Sequence, residues 1–264
     1  MKTNSNYSYY ICTQIYNESE HYLIDWLDHQ FNVVGFKNVC LINVGQPLSR
    51  SFRQRFSIAY VEKKDRGQEF QYCLSSCFVD EPMRAEDMLM IHDVDEYLNV
   101  RKSDEIFNNY KNYDQFHFNE IRYGYVLDTE KEIMNRSLRT TNLWRKPHHL
   151  LGEYENDNLK NLFNCKTYDG WPSCNEGNGK EMIRVGAIKS FDTHFQSSNI
   201  QPERRIYIDM KKIRLNHYFM RTKEDATQSA KKWNKIGSRI GQINSNQWFR
   251  FIFDDSITDS KRLI

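Results

Sequence analysis

Short apolar runs alternate with segments of helical apolar spacing through the first hundred residues. Short runs rich in aromatic and β-branched side chains predict buried strands, and apolar residues at i, i+3 and i+4 predict helices. The predicted strands are residues 9–14, 38–44, 56–61 and 88–91. One predicted helix follows Asn17-Glu18-Ser19 and ends at about Asn32, before Gly35, and a second covers residues 68–79. This order predicts an α/β fold with a central, mostly parallel sheet flanked by helices.

The second half of the chain is less regular. Residues 115–125, 182–188 and 213–220 predict further strands, and residues 140–178, rich in Gly and Asn, predict a long loop region. Thr222-Lys-Glu-Asp225 resembles a capping box that opens a helix running to about Ile236. Because no repeat or linker divides the chain, we predict a single domain over residues 1–264, with an irregular C-terminal region.

Amino-acid composition and net charge limit the classes of function that this chain could have. The chain of 264 residues is 39% hydrophobic and 14% aromatic, which is typical of a folded globular protein. A net charge of +2 with 27% charged residues gives no basic excess, which argues against a nucleic-acid partner. The polar N-terminus and the lack of a long apolar stretch predict no membrane span and a cytoplasmic location.

The six cysteines show neither a CxxC pair nor zinc-type spacing. Cys73 and Cys77 share the apolar face of the predicted second helix, so we expect buried thiols there. A disulfide between Cys165 and Cys174 is conceivable, although no other feature of the sequence supports it.

The most informative segment is the acidic one that follows the predicted strand 88–91. Asp93 and Asp95 are two positions apart, so in an extended chain both side chains point the same way. Carboxylates at a strand terminus suit Mg²⁺ or Mn²⁺. Asn17-Glu18 also follows a strand, and ligands of parallel sheets bind beyond the carboxyl ends of strands, so the two segments could converge on one cleft. The alternative is a solvated acidic turn.

Several short motifs occur along the chain in an order that resembles a known protein family. They are Asn17-Glu18 with Trp26-Leu27 and His29, Gln68 with Tyr72, Asp93-Val-Asp95-Glu96-Tyr97-Leu98, Lys180-x-Met-Ile183 with His194, and Asn216-His217-Tyr218 with Arg221. This pattern is similar to the nucleotide-sugar glycosyltransferases of the GT-A fold, in the family-92 and family-2-like group formerly catalogued as a domain of unknown function. Only Tyr123-Gly124 remains of that group's glycine-serine stretch, which leaves the acceptor open.

The resemblance implies a Rossmann-like GT-A sheet and a metal-dependent transfer of a sugar from a nucleoside diphosphate sugar, with UDP as the expected nucleotide. Residues 1 to about 100 would bind the donor, and residues from about 101 to 264 the acceptor. Mn²⁺ or Mg²⁺ would be held by Asp93, Asp95 and His217, with His194 as the alternative third ligand. His217 could instead be a core histidine. The donor contacts implied by the resemblance are Asn17, Glu18, Gln68, Asp93, Glu96 and Arg221.

The group is thought to invert the anomeric centre, which requires a carboxylate base. Glu153 and Asp157 are the favoured candidates, while Glu120, Asp169 and Glu176 also qualify by position. Trp144 and Trp171 could stack on the sugar of a glycan acceptor, although tryptophan is more often a core residue. Two rival functions are a glycan-binding module without turnover and a phosphatase of the haloacid-dehalogenase type, which also places Asp-x-Asp after a strand.

Overall fold

A computed structural model describes residues 7–64, 72–100, 110–123, 179–191, 196–198 and 200–218, together with the backbone of four further short strands. The chain divides into two compact units whose segments alternate along the sequence. The first unit contains Met1–Val94, Lys102–Phe118 and Gly179–Ile208. The second contains Asp95–Arg101, Asn119–Asn178 and Asp209–Ile264. The single domain expected from the sequence stays a prediction.

The strands are β1 (Tyr9–Ile15), β2 (Asn38–Asn43), β3 (Ala59–Glu62), β4 (Met88–Ile91), β5 (Glu96–Val100), β6 (Gln115–Phe118), β7 (Glu120–Arg122), β8 (Trp144–Arg145), β9 (Lys166–Tyr168), β10 (Trp171–Ser173), β11 (Lys180–Arg184), β12 (Ile188–Phe191), β13 (Gln196–Ser198), β14 (Arg205–Tyr207), β15 (Ile213–His217) and β16 (Ile252–Phe253). The α-helices are α1 (Glu20–His29) and α2 (Arg50–Arg55), and π-helical turns cover Gln30–Val34 and Cys73–Cys77. Short 3₁₀ turns cover Val185–Ala187 and Pro202–Arg204.

The first unit is built on a mixed seven-stranded sheet in the order β14-β6-β11-β4-β1-β2-β3. Strands β3, β2, β1 and β4 run parallel, β11 is antiparallel to both of its neighbours, and β14 is parallel to β6. The predicted α/β class is therefore confirmed. Strands β2 and β3 lie on one side of β1, and β4 lies on its other side. The strand order therefore reverses between β1 and β4.

The local sequence explains the centre of this sheet. Almost every residue of β1, β2 and β4 is buried, as expected for parallel strands that are covered on both faces. Helix α1 buries Tyr22, Leu23, Trp26 and Leu27, and continues as a π-helical turn to Val34. Gly35 ends it in the left-handed region at φ 84°, which confirms the predicted helix end.

Two predicted elements differ from the structure. The third strand begins at Ala59 rather than at residue 56, because the preceding residues form α2 and its exit. Ser49 caps α2 by accepting a hydrogen bond from the Phe52 amide. Of the predicted helix 68–79, residues 68–71 lie outside the described residues, and Cys73–Cys77 form a π-helical turn that ends before Phe78.

Cys73 and Cys77 are buried as predicted, but the prediction that they are thiols is wrong, because both form disulfides. Cys12 pairs with Cys73 and Cys40 with Cys77, across Cα separations of 6.2 and 5.8 Å. Cys12 and Cys40 are register partners on β1 and β2, and Cys73 and Cys77 stand four residues apart, so one helical turn meets both strands. Cys165 and Cys174 lie outside the described residues.

The second unit contains a three-stranded sheet in the order β5-β15-β7, in which β15 is antiparallel to β5 and parallel to β7. The predicted strand 213–220 is confirmed over Ile213–His217, whereas the sequence did not indicate β5. The predicted strand 115–125 is divided between β6 of the first unit and β7 of the second.

Other predictions fall largely outside the described residues. The expected helix to Ile236 does so entirely, and in the expected loop 140–178 only the backbone of β8, β9 and β10 is described. Within the described part of the chain, no helix combines the length and the apolar character needed to cross a bilayer.

Candidate metal centre

The acidic segment lies between β4, which ends at Ile91, and β5, which begins at Glu96. The prediction of an extended chain is wrong here, because Val94 and Asp95 form a turn. The alternation of faces nevertheless holds: His92 and Val94 are buried, while the side chains of Asp93 and Asp95 are 52% and 25% exposed. The turn therefore keeps both carboxylates accessible.

In the second unit, His217 lies among three carboxylates. Its Nδ1 is 2.7 Å from Glu120 Oε1 and 3.9 Å from Glu96 Oε1, and its Nε2 is 3.5 Å from Asp95 Oδ2. Glu96, Glu120 and His217 are buried, and their ligand atoms lie within 4.8 Å of one another. The predicted ligands Asp95 and His217 are thus neighbours, and Glu96 and Glu120 join them.

Strand register places these side chains. His217 pairs with Glu96 across the antiparallel β5–β15 ladder, and Glu120 opens β7 on the other side of β15. The Tyr218 amide donates to the Asp95 carbonyl at 2.8 Å, and the Tyr123 amide donates to the His217 carbonyl at the same distance. These main-chain bonds hold Asp95 and His217 in place from both flanking segments.

The charge of His217 follows from its neighbours. Burial lowers the pKa of His217, but the nearby carboxylates of Glu120 and Asp95 raise it by more, so the pKa lies well above its usual range. Without a metal the two carboxylates therefore favour the protonated imidazole. Both ring nitrogens then carry protons, with Nδ1–H donated to Glu120 and Nε2–H facing Asp95.

Loss of one proton would convert this arrangement into a metal site. If His217 keeps Nδ1–H hydrogen-bonded to Glu120, its Nε2 becomes a ligand beside the Asp95 carboxylate. A carboxylate behind a ligating histidine is the usual second layer of metal sites in proteins, where it fixes the tautomer and the ring orientation. An imidazole nitrogen with carboxylate oxygens suits Mn²⁺ better than Mg²⁺, which prefers oxygen alone. The residues therefore fit a divalent ion.

Asp93, the other predicted ligand, has a different neighbour in the first unit. Its Oδ2 is 3.0 Å from Nζ of Lys180, a lysine that is 1% exposed at the start of β11. The sequence singled out Lys180 only as part of the family pattern and did not indicate this ion pair. The role of Asp93 as a metal ligand stays a prediction.

The loop after β1 holds Asn17 and Glu18. Asn17 has φ 54°, and its Oδ1 accepts a hydrogen bond from the Gln46 amide at 2.9 Å. Ser19, not Asn17, occupies the N-cap position of α1. A Cβ at Gly45 would lie 2.5 Å from the Asn17 amide nitrogen, so the close approach of these loops requires glycine. Asn17 therefore joins the loops after β1 and β2, and donor contacts by Asn17 and Glu18 stay predictions.

The remaining predicted site residues are not described as side chains. Trp144 and Trp171 are placed only as backbone, in β8 and β10. The others lie outside the described residues: Gln68, Glu153, Asp157, Asp169, Glu176, His194 and Arg221. Glu120, expected only as one of several base candidates, is instead the partner of His217. Acidic side chains are rarely buried unpaired, so a buried Glu120 requires such a partner, but the sequence around it (Asn119-Glu120-Ile121-Arg122) does not indicate the burial.

A pocket of about 420 Å³ opens elsewhere in the first unit. It is lined by the amino-terminal ends of β2 and β3 and by Asp80 and Glu81. It lies at the sheet edge opposite to the carboxyl ends of the parallel strands, where α/β sheets bind their ligands. We therefore do not assign the donor to it.

No protein-family model matches the sequence, and no curated protein matches it. Function must therefore be argued from the residues themselves.

Proposed function

We propose that this protein is a metal-dependent glycosyltransferase of the GT-A type. It would move a sugar from a nucleoside diphosphate sugar, with UDP as the expected nucleotide, to a hydroxyl of a glycan. The observation that carries the proposal is the line of contacts from Glu120 through His217 to Asp95. Asp95 belongs to the acidic segment that follows β4, so the acidic segment and the C-terminal histidine of the family-like pattern meet in one cluster.

The topology of the first unit supports a nucleotide-binding role. In open α/β sheets, ligands bind outside the carboxyl ends of the strands, where strand order reverses. That reversal lies between β1 and β4. Asn17-Glu18 follows β1 and Asp93 follows β4, so the residues implied by the resemblance come from the two strands at this point.

Asp95 and His217 are the residues that would hold the metal, and Mn²⁺ is the preferred ion. When bound, a divalent ion supplies Lewis acid stabilisation of the charge that develops on the leaving diphosphate. Glu120 would orient His217 and keep Nδ1 protonated. Because Glu120 is buried and engaged with His217, we do not propose it as the catalytic base. Glu153 and Asp157 remain the favoured candidates for deprotonating the acceptor.

A donor panel tests the proposal. Turnover of UDP-, GDP- and CMP-sugars is measured with Mn²⁺, with Mg²⁺ and with EDTA, for the wild type and for Asp95→Asn and His217→Gln. Asp80→Asn is the matched control, because Asp80 is exposed and lies in another part of the chain. We expect turnover of one nucleotide class with Mn²⁺, lost in EDTA and in both site variants but retained in the control.

Three other outcomes would contradict the proposal. Turnover that persists in EDTA and in Asp95→Asn would exclude a metal at this cluster. Phosphate release from phosphomonoesters without any acceptor would favour the phosphatase. Binding of glycans without turnover of any sugar nucleotide would favour the binding module.

A further inference from the structure

Four cysteines of the first unit converge on one place in its core. Cys12 and Cys40 are register partners on the neighbouring parallel strands β1 and β2, and Cys73 and Cys77 stand four residues apart on the π-helical turn that is linked to them. The Sγ atoms of Cys12, Cys40 and Cys77 lie within 4.8 Å of one another, and Cys73 is bonded to Cys12. All four side chains are buried. The fold therefore gathers four sulfur atoms around one point.

This arrangement also suits a metal ion. A tetrahedral zinc ion holds thiolates at about 2.3 Å, which places neighbouring sulfur atoms about 3.8 Å apart. Side-chain rotations can bring the sulfur atoms to that spacing once the S–S bonds are open. Cys73 and Cys77 have three residues between them, within the spacing of about two to four that zinc-binding pairs show. Strand register supplies the second pair, which is why spacing along the sequence does not reveal the cluster.

The π-helical turn depends on these cysteines for its attachment to the sheet. The buried residues of the turn are Cys73 and Cys77, and the partly buried Tyr72 and Phe78 flank it. Disulfides persist under oxidising conditions, whereas cellular reductants keep thiols open in reducing compartments. Free thiols are small hydrophobic groups, so reduction replaces two covalent links by weak contacts. The turn therefore needs a different cross-link if it is to keep its place in the reduced protein.

The pocket described above gives an ion a route to the cluster. Cys77 lines this pocket of about 420 Å³, and so do the exposed residues Asp80 and Glu81. Lys37 is the remaining charged residue of the lining, so the lining carries an excess of one negative charge. Carboxylates along a cleft raise the local concentration of cations. A divalent cation can thus approach the sulfur atom of Cys77 from solvent.

We propose that the four cysteines bind one Zn²⁺ ion when their disulfides are reduced, so that the two disulfides and a zinc site are alternative states of the same cluster. Each disulfide takes up two electrons and two protons from two molecules of a thiol reductant, which become joined as a disulfide. Zn²⁺ then displaces the protons of the four thiols, and the ion itself is not reduced. Soft thiolates favour Zn²⁺ over Mn²⁺. Four thiolates fill a tetrahedral shell, so this ion is structural and leaves no position for a substrate.

The experiment titrates the full chain with CoCl₂ after reduction with a water-soluble phosphine, and then with ZnCl₂. Co²⁺ can occupy zinc sites, and its thiolate complexes absorb intensely through sulfur-to-metal charge transfer, which imidazole and carboxylate ligands do not produce. Thiol labelling counts the open cysteines, and circular dichroism checks the fold. Cys77→Ser removes one ligand, whereas Cys165→Ser/Cys174→Ser removes two thiols that are not part of the cluster. The oxidised wild type is the second control.

We expect the reduced wild type to bind one Co²⁺ ion with thiolate absorption and to exchange it for Zn²⁺. Cys77→Ser should bind Zn²⁺ about 100-fold more weakly, roughly the share of one ligand in the free energy of a structural zinc site. The double serine variant should match the reduced wild type. The oxidised wild type should show no thiolate absorption.

Several results would overturn the inference. They include a reduced and folded wild type without thiolate absorption, and disulfides that stay closed in the phosphine. Unchanged absorption and affinity in Cys77→Ser, or loss of the absorption in the double serine variant, would assign the metal to other thiols. If the reduced chain unfolds, ZnCl₂ should restore its fold, and a chain that stays unfolded with ZnCl₂ would contradict the zinc site.

Discussion

Replacing Glu120 with glutamine perturbs the metal centre without removing either proposed ligand. The variant keeps a side chain of the same shape that can still accept a hydrogen bond from His217 Nδ1–H. It loses the negative charge that fixes the ring and favours the tautomer with a free Nε2. We expect Mn²⁺ to bind more weakly to Glu120→Gln than to the wild type.

The geometry sets the size of the effect. The 2.7 Å contact between Glu120 Oε1 and His217 Nδ1 is buried and involves a charged group, which places it in a class of about 1.5–3 kcal/mol. Outer carboxylates behind metal-bound histidines change metal affinity by about 10- to 100-fold, which is about 1.4–2.7 kcal/mol. These two free-energy ranges overlap, and we expect Glu120→Gln to bind Mn²⁺ about 10- to 100-fold more weakly than the wild type.

The loss should grow with pH. In the wild type the pKa of His217 is raised by Glu120 and Asp95, so at neutral pH a proton competes with the metal for Nε2. The variant lowers that pKa, and the competing proton leaves more easily, which offsets part of the loss. Above the wild-type pKa no proton competes, and the full loss appears.

The assay is Mn²⁺ titration by calorimetry between about pH 6 and pH 8, within the range where histidine changes its charge. Glu181→Gln is the control, because it makes the same change in another buried carboxylate beside a histidine, with Glu181 Oε1 3.6 Å from His117 Nδ1. Equal Mn²⁺ affinity of Glu120→Gln and wild type at every pH would show that Glu120 does not support a metal ligand. An equal loss in Glu181→Gln would show that the effect is not specific to the cluster.

Three further predictions concern protons, acid and disulfides. Mn²⁺ binding near pH 7 should release about one proton, measured by calorimetry in buffers of different ionisation enthalpy, and His217→Gln should release none. Burial raises the pKa of Asp114, but Arg204 and Arg184 lower it by more. The ionised Asp114 therefore stabilises the folded protein above about pH 4, and this contribution to the free energy of unfolding is lost as the pH falls through the lowered pKa. Asp114→Asn should therefore cost about 2 kcal/mol in urea unfolding at pH 7, within the range for hydrogen bonds to charged groups, with the difference from the wild type shrinking in acid. Cys40→Ala, which opens a 37-residue separation, should cost about 4 kcal/mol in the same assay, and no loss would contradict the disulfide.

Much of the first unit's sheet could be predicted from the sequence because burial on both faces produces a local signal. Strand β4 is an unbroken apolar run and β1 is rich in aromatic and β-branched residues, and the sequence predicts both within one residue of their ends. Helix α2 was missed because it buries only Phe52, so it has no apolar stripe, and its Ser49 cap is a weak signal by itself.

The metal centre was predictable only in part, since its contacts connect distant segments. The acidic residues and His217 were identified from their order along the chain. The contact of Glu120 with His217 spans 97 positions and depends on β15 lying between β5 and β7. The sequence does not indicate strand β5 because the strand begins with an acidic residue, Glu96. The register partner of Glu96 is His217 of β15, which is distant in sequence. The disulfides also follow from strand register, which spacing in sequence does not reveal.

Anomalous scattering from crystals of the protein soaked in Mn²⁺ would show whether Asp95 and His217 hold a divalent ion. We expect an anomalous peak in contact with a carboxylate oxygen of Asp95 and with Nε2 of His217, while Nδ1 stays hydrogen-bonded to Glu120. A manganese peak bound elsewhere, or none near these side chains in crystals where the cluster is accessible, would contradict it.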